Sequence, residues 1–152
     1  QMEEMGRILA IDYGRRRVGL AVTDPLGLTA QGLPTLLVNR WEDIITWVTA
    51  NRGEWEIEQI IIGLPLSLSG EMGPMAREVA DFARVLRKTT TLPVELVDER
   101  LTSREAHAVF AQGGKKLKGR KEAIDRISAV LLLQSFLDSH SPPDAMPNPE
   151  EP

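Results

Sequence analysis

Cysteine is missing from all 152 residues, so the chain holds no disulfide, no cysteine-ligated zinc site, no iron–sulfur cluster and no thiol nucleophile. Histidine is scarce: His107 is expected on a helix surface and His140 in a polar tail, and neither is read as catalytic. No window approaches the roughly 18 uninterrupted apolar residues of a membrane span. Gln1 to Met5 are polar and acidic rather than an apolar signal segment. No membrane partner is expected, and the cytoplasm is the expected compartment.

What is present suits one domain. A chain of this length buries roughly 68–70% of its unfolded surface and needs no metal or disulfide staple to hold a core. The expected domain spans residues 5–139. Residues 140–152, rich in proline and acid, read as a disordered tail. The formal charge of −4 is misleading as a sum, because six acids and no bases sit at the two ends. Residues 5–137 hold 16 acids against 18 bases, and the bases cluster as Arg15, Arg16, Arg17 and as Lys115, Lys116, Lys118, Arg120, Lys121, Arg126. Two such runs beside candidate carboxylates suit a phosphate-binding surface, although either could be a solvated loop.

The hydrophobic pattern sets the fold class as α/β. RILAIDY and VGLAVT, joined by GRRR, predict a hairpin, and LPTLLVN (residues 33–39) predicts a third antiparallel strand. Helix and strand then alternate. A helix is expected over Trp41–Arg52, and the almost wholly apolar run IEQIIIG (57–63) suits a strand covered on both faces. Pro74–Lys88 carries Met75, Val79, Phe82, Ala83 and Leu86 on one stripe. VELV (94–97) is a fifth strand, and Thr102 with Glu105 has the capping-box spacing of a helix running to about Gln112. A last helix, about Lys121–Ser139, has apolar residues over most of its circumference, which predicts burial nearly all round. Together these give a mixed five-stranded sheet, three antiparallel strands then two parallel, with helices on both faces and the first strand near the centre.

Three carboxylate positions could carry chemistry. Asp12 lies in an apolar strand, where an unpaired carboxylate costs several kcal/mol if buried; its place before Gly14 also suits a turn cap. Asp98 and Glu99 follow the fifth strand at its carboxyl end, where open α/β sheets build sites. Strand alternation allows only one of these two to share a cleft with Asp12. Asp125 begins the last helix, where an acid also gains from the helix dipole. Convergent oxygens without cysteine favour a hard cation, Mg²⁺ or Mn²⁺, and phosphodiester hydrolysis by metal-activated water.

At these residues the sequence resembles the YqgF family, also called RuvX-like, of Holliday junction resolvases and pre-16S rRNA nucleases with a ribonuclease H-like fold. The resemblance is carried in order by IDYGRRRVGLAVTDP, IIIGLPLSLSGEMG, VDERLTSREA and KEAIDRISAVLLLQSFL, from about Ile8 to Leu137. It implies that Asp12, Glu99 and Asp125 are the catalytic, metal-binding carboxylates, with Asp24 or Asp98 as candidates for a fourth. Expected substrates are structured RNA such as pre-16S rRNA, or branched DNA. The bases expected to hold them are Arg15, Arg16, Arg17, Arg100, Arg104, Lys115, Lys116, Lys118, Arg120 and Lys121. A homodimer is a candidate assembly. A nucleic-acid-binding factor with little catalysis, acting in transcription or ribosome maturation, is the alternative.

Overall fold

The computed structural model of the chain describes residues 6–67, 69–98 and 120–139, and of 120–125 the backbone alone. Strands β1 (Arg7–Asp12) and β2 (Arg17–Thr23) pair antiparallel, Leu9 opposite Val22 and Asp12 opposite Gly19. β3 (Ala30–Leu37) pairs antiparallel with β2. Helix α1 (Trp41–Asn51) leads to β4 (Ile57–Leu64), and α2 (Pro74–Thr90) leads to β5 (Val94–Asp98). β4 lies parallel to β1, and β5 parallel to β4. The last helix is α3 (Arg120–Ser139). The sheet order is β3-β2-β1-β4-β5, which puts β1 at the centre as its apolar run requires.

Alternation along the strands divides the core in two. Leu9, Ile11, Val18, Leu20, Val22, Ile60 and Ile62 face α1 and α2, where Ile44, Val48, Val79, Phe82 and Leu86 are fully buried. Ala10, Ala21 and Ile61 face α3 and meet Ala129, Leu132, Leu133 and Phe136. The second face is built for close approach. Ala10 on β1, Ala21 on β2 and Gly32 on β3 form one row in register across three strands. A Cβ at Gly32 would stand 2.8 Å from Arg126 Cγ and 3.2 Å from Val130 Cγ2, so α3 lies on a floor of the smallest side chains.

Two expectations need adjustment. β3 begins at Ala30, three residues before the predicted start, and runs through Pro34. An edge strand tolerates a residue with no N–H to donate, and the register slips by one residue here, between the pairs Leu20–Leu33 and Val18–Leu36. α3 is not buried all round over residues 126–139: Ser128, Ala129, Leu132, Leu133 and Phe136 are buried, whereas Ser135, Asp138 and Ser139 are exposed. Only the sheet covers it among the described residues. The helix predicted near 102–112 and the tail 140–152 lie outside the described residues.

Candidate active site

β1, β4 and β5 run parallel, so their carboxyl ends meet at one edge of the sheet, the position at which open α/β sheets place ligands. Asp12 ends β1 there, half-buried. By alternation with Ala10 it belongs to the α3 face. Its neighbours on both sides are glycines. Gly19 on β2 is directly opposite, and the register that pairs Ile11 with Ile62 brings Gly63 of β4 alongside. Both glycines are buried, and glycine inside a strand often marks the close approach of a ligand or another backbone.

The same alternation sorts the other acids. Val94 and Leu96 belong to the α1/α2 core and Val97 to the α3 core, which puts position 98 on the side away from Asp12. Asp98 therefore does not complete a cluster with Asp12. Asp24 is excluded more simply: it lies five residues beyond Gly19 along β2, roughly 16 Å away at about 3.3 Å per residue. It closes the β2–β3 turn instead, accepting the N–H groups of Leu28 (2.7 Å) and Thr29 (2.8 Å). Those backbone donors, Thr29 foremost, hold its carboxyl below the usual range. Asp125 is on α3, the helix packed on Asp12's face, but its side chain lies outside the described residues, as does Glu99. Among the described residues no three ligating side chains gather.

The turn after Asp12 is fixed from both ends. A Cβ at Gly14 would fall 2.0 Å from the Arg17 carbonyl oxygen, so only glycine fits. Tyr13 alternates to the opposite face from Asp12, stacks obliquely on Phe82 at 5.1 Å, and donates a short hydrogen bond to Glu78 Oε2 of α2. Arg15 grips the same carboxylate, Nη2 to Oε1 at 2.8 Å and Nε to Oε1 at 3.0 Å. Glu78 is thereby held below the usual carboxylate range, first by Arg15 and then by Tyr13, while burial and Glu78 push the Tyr13 phenol up. A carboxyl lowered on folding stabilises above its unfolded pKa, about 4.3, and loses that contribution as pH falls through the folded value. Glu78→Gln is expected to flatten the acid limb of a stability-against-pH curve below about pH 4.3, read by thermal melts; an unchanged limb would deny the clamp an energetic role.

Arg15 thus has a protein partner already, and Arg16, exposed like Arg15, forms no ion pair with a described acid. Arg17 begins β2, half-buried and in register with Leu37. Arg100, Arg104, Lys115, Lys116 and Lys118, and the side chains of Arg120 and Lys121, lie outside the described residues. Sequence reasoning missed Gly19 and Glu78, and missed Gly63 as a neighbour of Asp12. The two glycines had a signal, each interrupting an apolar strand, whereas Glu78 looked like one more polar position on an amphipathic helix.

The two glycines make a separable prediction. Gly19→Ala and Gly63→Ala add one methyl each at buried strand positions, so if the close approach there serves a ligand, the folded state survives with cleavage reduced at least tenfold. A collapse of the melting temperature alongside the activity would make the glycines packing residues instead.

The family model described as RuvX, Holliday junction resolvase, matches residues 6–139. A Koribacter versatilis protein named as a pre-16S rRNA nuclease is 48% identical over 133 residues, 88% of this chain and 87% of the relative. One of the same name from Syntrophomonas wolfei is 41% identical over 135 residues, 89% and 96% of the two chains. Among solved structures, Thermus thermophilus RuvC in complex with a Holliday junction superposes with a TM-score of 0.55 at 17% identity, covering 89% of this chain and 96% of that one. The fowlpox virus resolvase with its junction DNA gives 0.56 at 13%, covering 90% and 99%. These two show the shared ribonuclease H-like fold.

Proposed function

Since the chain belongs to the RuvX family, we propose that it is a metal-dependent endonuclease hydrolysing phosphodiester bonds of structured nucleic acid, trimming the 5′ end of pre-16S rRNA or resolving Holliday junctions. The observation that carries this reading is Asp12: a carboxylate at the carboxyl end of the central strand, flanked by Gly19 and Gly63, on the face that α3 covers. The names of relatives 41–48% identical favour the RNA substrate.

In this reading Asp12, Glu99 and Asp125 hold Mg²⁺ or Mn²⁺. Asp12 offers the hard oxygen such an ion prefers, and all three proposed ligands are carboxylates in a chain without cysteine. β5 is two strands from β1, about 10 Å at the usual strand spacing, so an acid following β5 must reach inward, and a glutamate is longer than an aspartate. A bound divalent ion would supply Lewis-acid stabilisation of the phosphoryl oxygens and a water of lowered pKa. The protein's own part is positional. Asp12 is fixed by strand pairing between two glycines, and Arg16 on the turn after it neutralises the flanking backbone without reading sequence.

The test is cleavage of labelled precursor rRNA and a four-way DNA junction by the purified protein with Mg²⁺, Mn²⁺ or chelator. Scission that requires metal is the expected result. Binding without scission under every condition would replace the nuclease with a nucleic-acid-binding factor of ribosome maturation or transcription. Among the described residues no helix is long and apolar enough to cross a membrane.

A further inference from the structure

A groove of about 440 Å³ opens on the opposite side of the sheet edge from Asp12, between the β1–β2 turn and the start of α1. Its walls are Tyr13 and Arg16 on one side and Asn39, Arg40 and Trp41 on the other, with Glu42 at the rim. The walls are tied together: the Val38 N–H donates to the Arg16 carbonyl at 2.9 Å. The backbone at the start of α1 is closed by Asp43, whose Oδ2 accepts the N–H groups of Asn39 (2.9 Å) and Arg40 (3.3 Å). The Asn39 and Arg40 residues themselves stand exposed.

The chemistry of the lining is specific. Arg15, Arg16 and Arg40 oppose Glu42 and Glu78, one net positive charge. Arg15 and Glu78 neutralise each other, and neither Arg16 nor Arg40 forms an ion pair with a described acid. Trp41 is half-buried, supported from behind by Phe82 at 6.0 Å, and lines the groove. Two available guanidiniums beside a supported indole form the combination that binds single strands, phosphates on the cations and a base on the ring. Asp12 and Tyr13 are consecutive residues facing opposite sides, so a strand leaving the carboxylate over the Gly14 turn enters this groove next.

We propose that the groove seats a single-stranded segment of nucleic acid adjoining the cut site. This rests on the nuclease reading for its purpose, but its test does not involve cutting. The full chain carrying Asp12→Asn is mixed, without divalent ions, with fluorescent 12-mers of uridylate and thymidylate and with a duplex of equal length, and anisotropy is followed across salt concentrations. Adding Arg16→Ala and Arg40→Ala together is expected to weaken single-strand binding about tenfold. Two lost contacts should also lower the slope of log affinity against log salt by about 1.4, since each phosphate contact on a single strand contributes about 0.7. The pair Arg84→Ala and Lys88→Ala, two exposed cations on α2, is the control and should cost under about threefold. Oligonucleotide quenching of tryptophan fluorescence should shrink in Trp41→Phe. Equal losses from both pairs, a duplex bound and weakened to the same degree, or quenching untouched by Trp41→Phe would each overturn the proposal. A protein that cuts nothing can still pass this test, and one that cuts can fail it, so the two readings stand or fall separately.

Discussion

Asp12→Asn is expected to lower metal-dependent cleavage at least about a hundredfold while leaving the protein folded. The magnitude follows from the role: a carboxylate that holds a Lewis acid is worth several kcal/mol of barrier, and each 1.36 kcal/mol is tenfold in rate. Survival of the fold follows from position. Asp12 is the last residue of β1, only half-buried, and the ladder that fixes the strand runs through the buried Leu9, Ala10 and Ile11. Undiminished cutting by a folded Asp12→Asn would remove the central strand from the chemistry.

The second large effect belongs to stability. Phe82 is fully buried at the middle of the α1/α2 core and supports two aromatic rings, Tyr13 at 5.1 Å and Trp41 at 6.0 Å. Phe82→Ala should cost about 3–5 kcal/mol through lost burial and the cavity left behind. In a domain of this size that lowers the melting temperature by on the order of 10 °C. The same substitution loosens the seat of Tyr13 and hence the turn after Asp12, so cleavage should fall well below the melting temperature. Leu86→Ala, one turn further along α2 and equally buried, should cost about 2–5 kcal/mol with cleavage preserved in the folded protein. If the two variants lose activity in parallel, the Tyr13–Phe82 contact is packing alone.

Much of this was readable from residue order. The apolar runs RILAID and IEQIIIG demanded burial on two faces, which a central strand of a layered sheet supplies, and that requirement placed Asp12 at the sheet's carboxyl edge. The stripe on α2 likewise announced its buried face, since Val79, Phe82, Ala83 and Leu86 recur at helical spacing. Other features depend on register, which a linear pattern does not encode. Gly19 and Gly63 are 44 positions apart and become neighbours of Asp12 only through strand pairing, and the row Ala10–Ala21–Gly32 beneath α3 arises the same way. The ion pair of Arg15 with Glu78 was not readable, because 63 residues separate them and Glu78 is on another element. The breadth of the apolar surface on α3 overstated its burial, because periodicity records which side chains are apolar and not what is laid over them. Alternation in the sequence left Asp98 and Glu99 both open, and only the family resemblance names Glu99; the register adds that Asp98 is on the face away from Asp12.

The most direct test of the central claim, that Asp12 helps to hold a divalent cation, is a titration of the intact protein with Mn²⁺, monitoring free ion by electron paramagnetic resonance, for the parent and for Asp12→Asn. Saturable binding by the parent, competed by Mg²⁺ and weakened at least tenfold in Asp12→Asn, is the predicted result. Identical isotherms for the two proteins would contradict it.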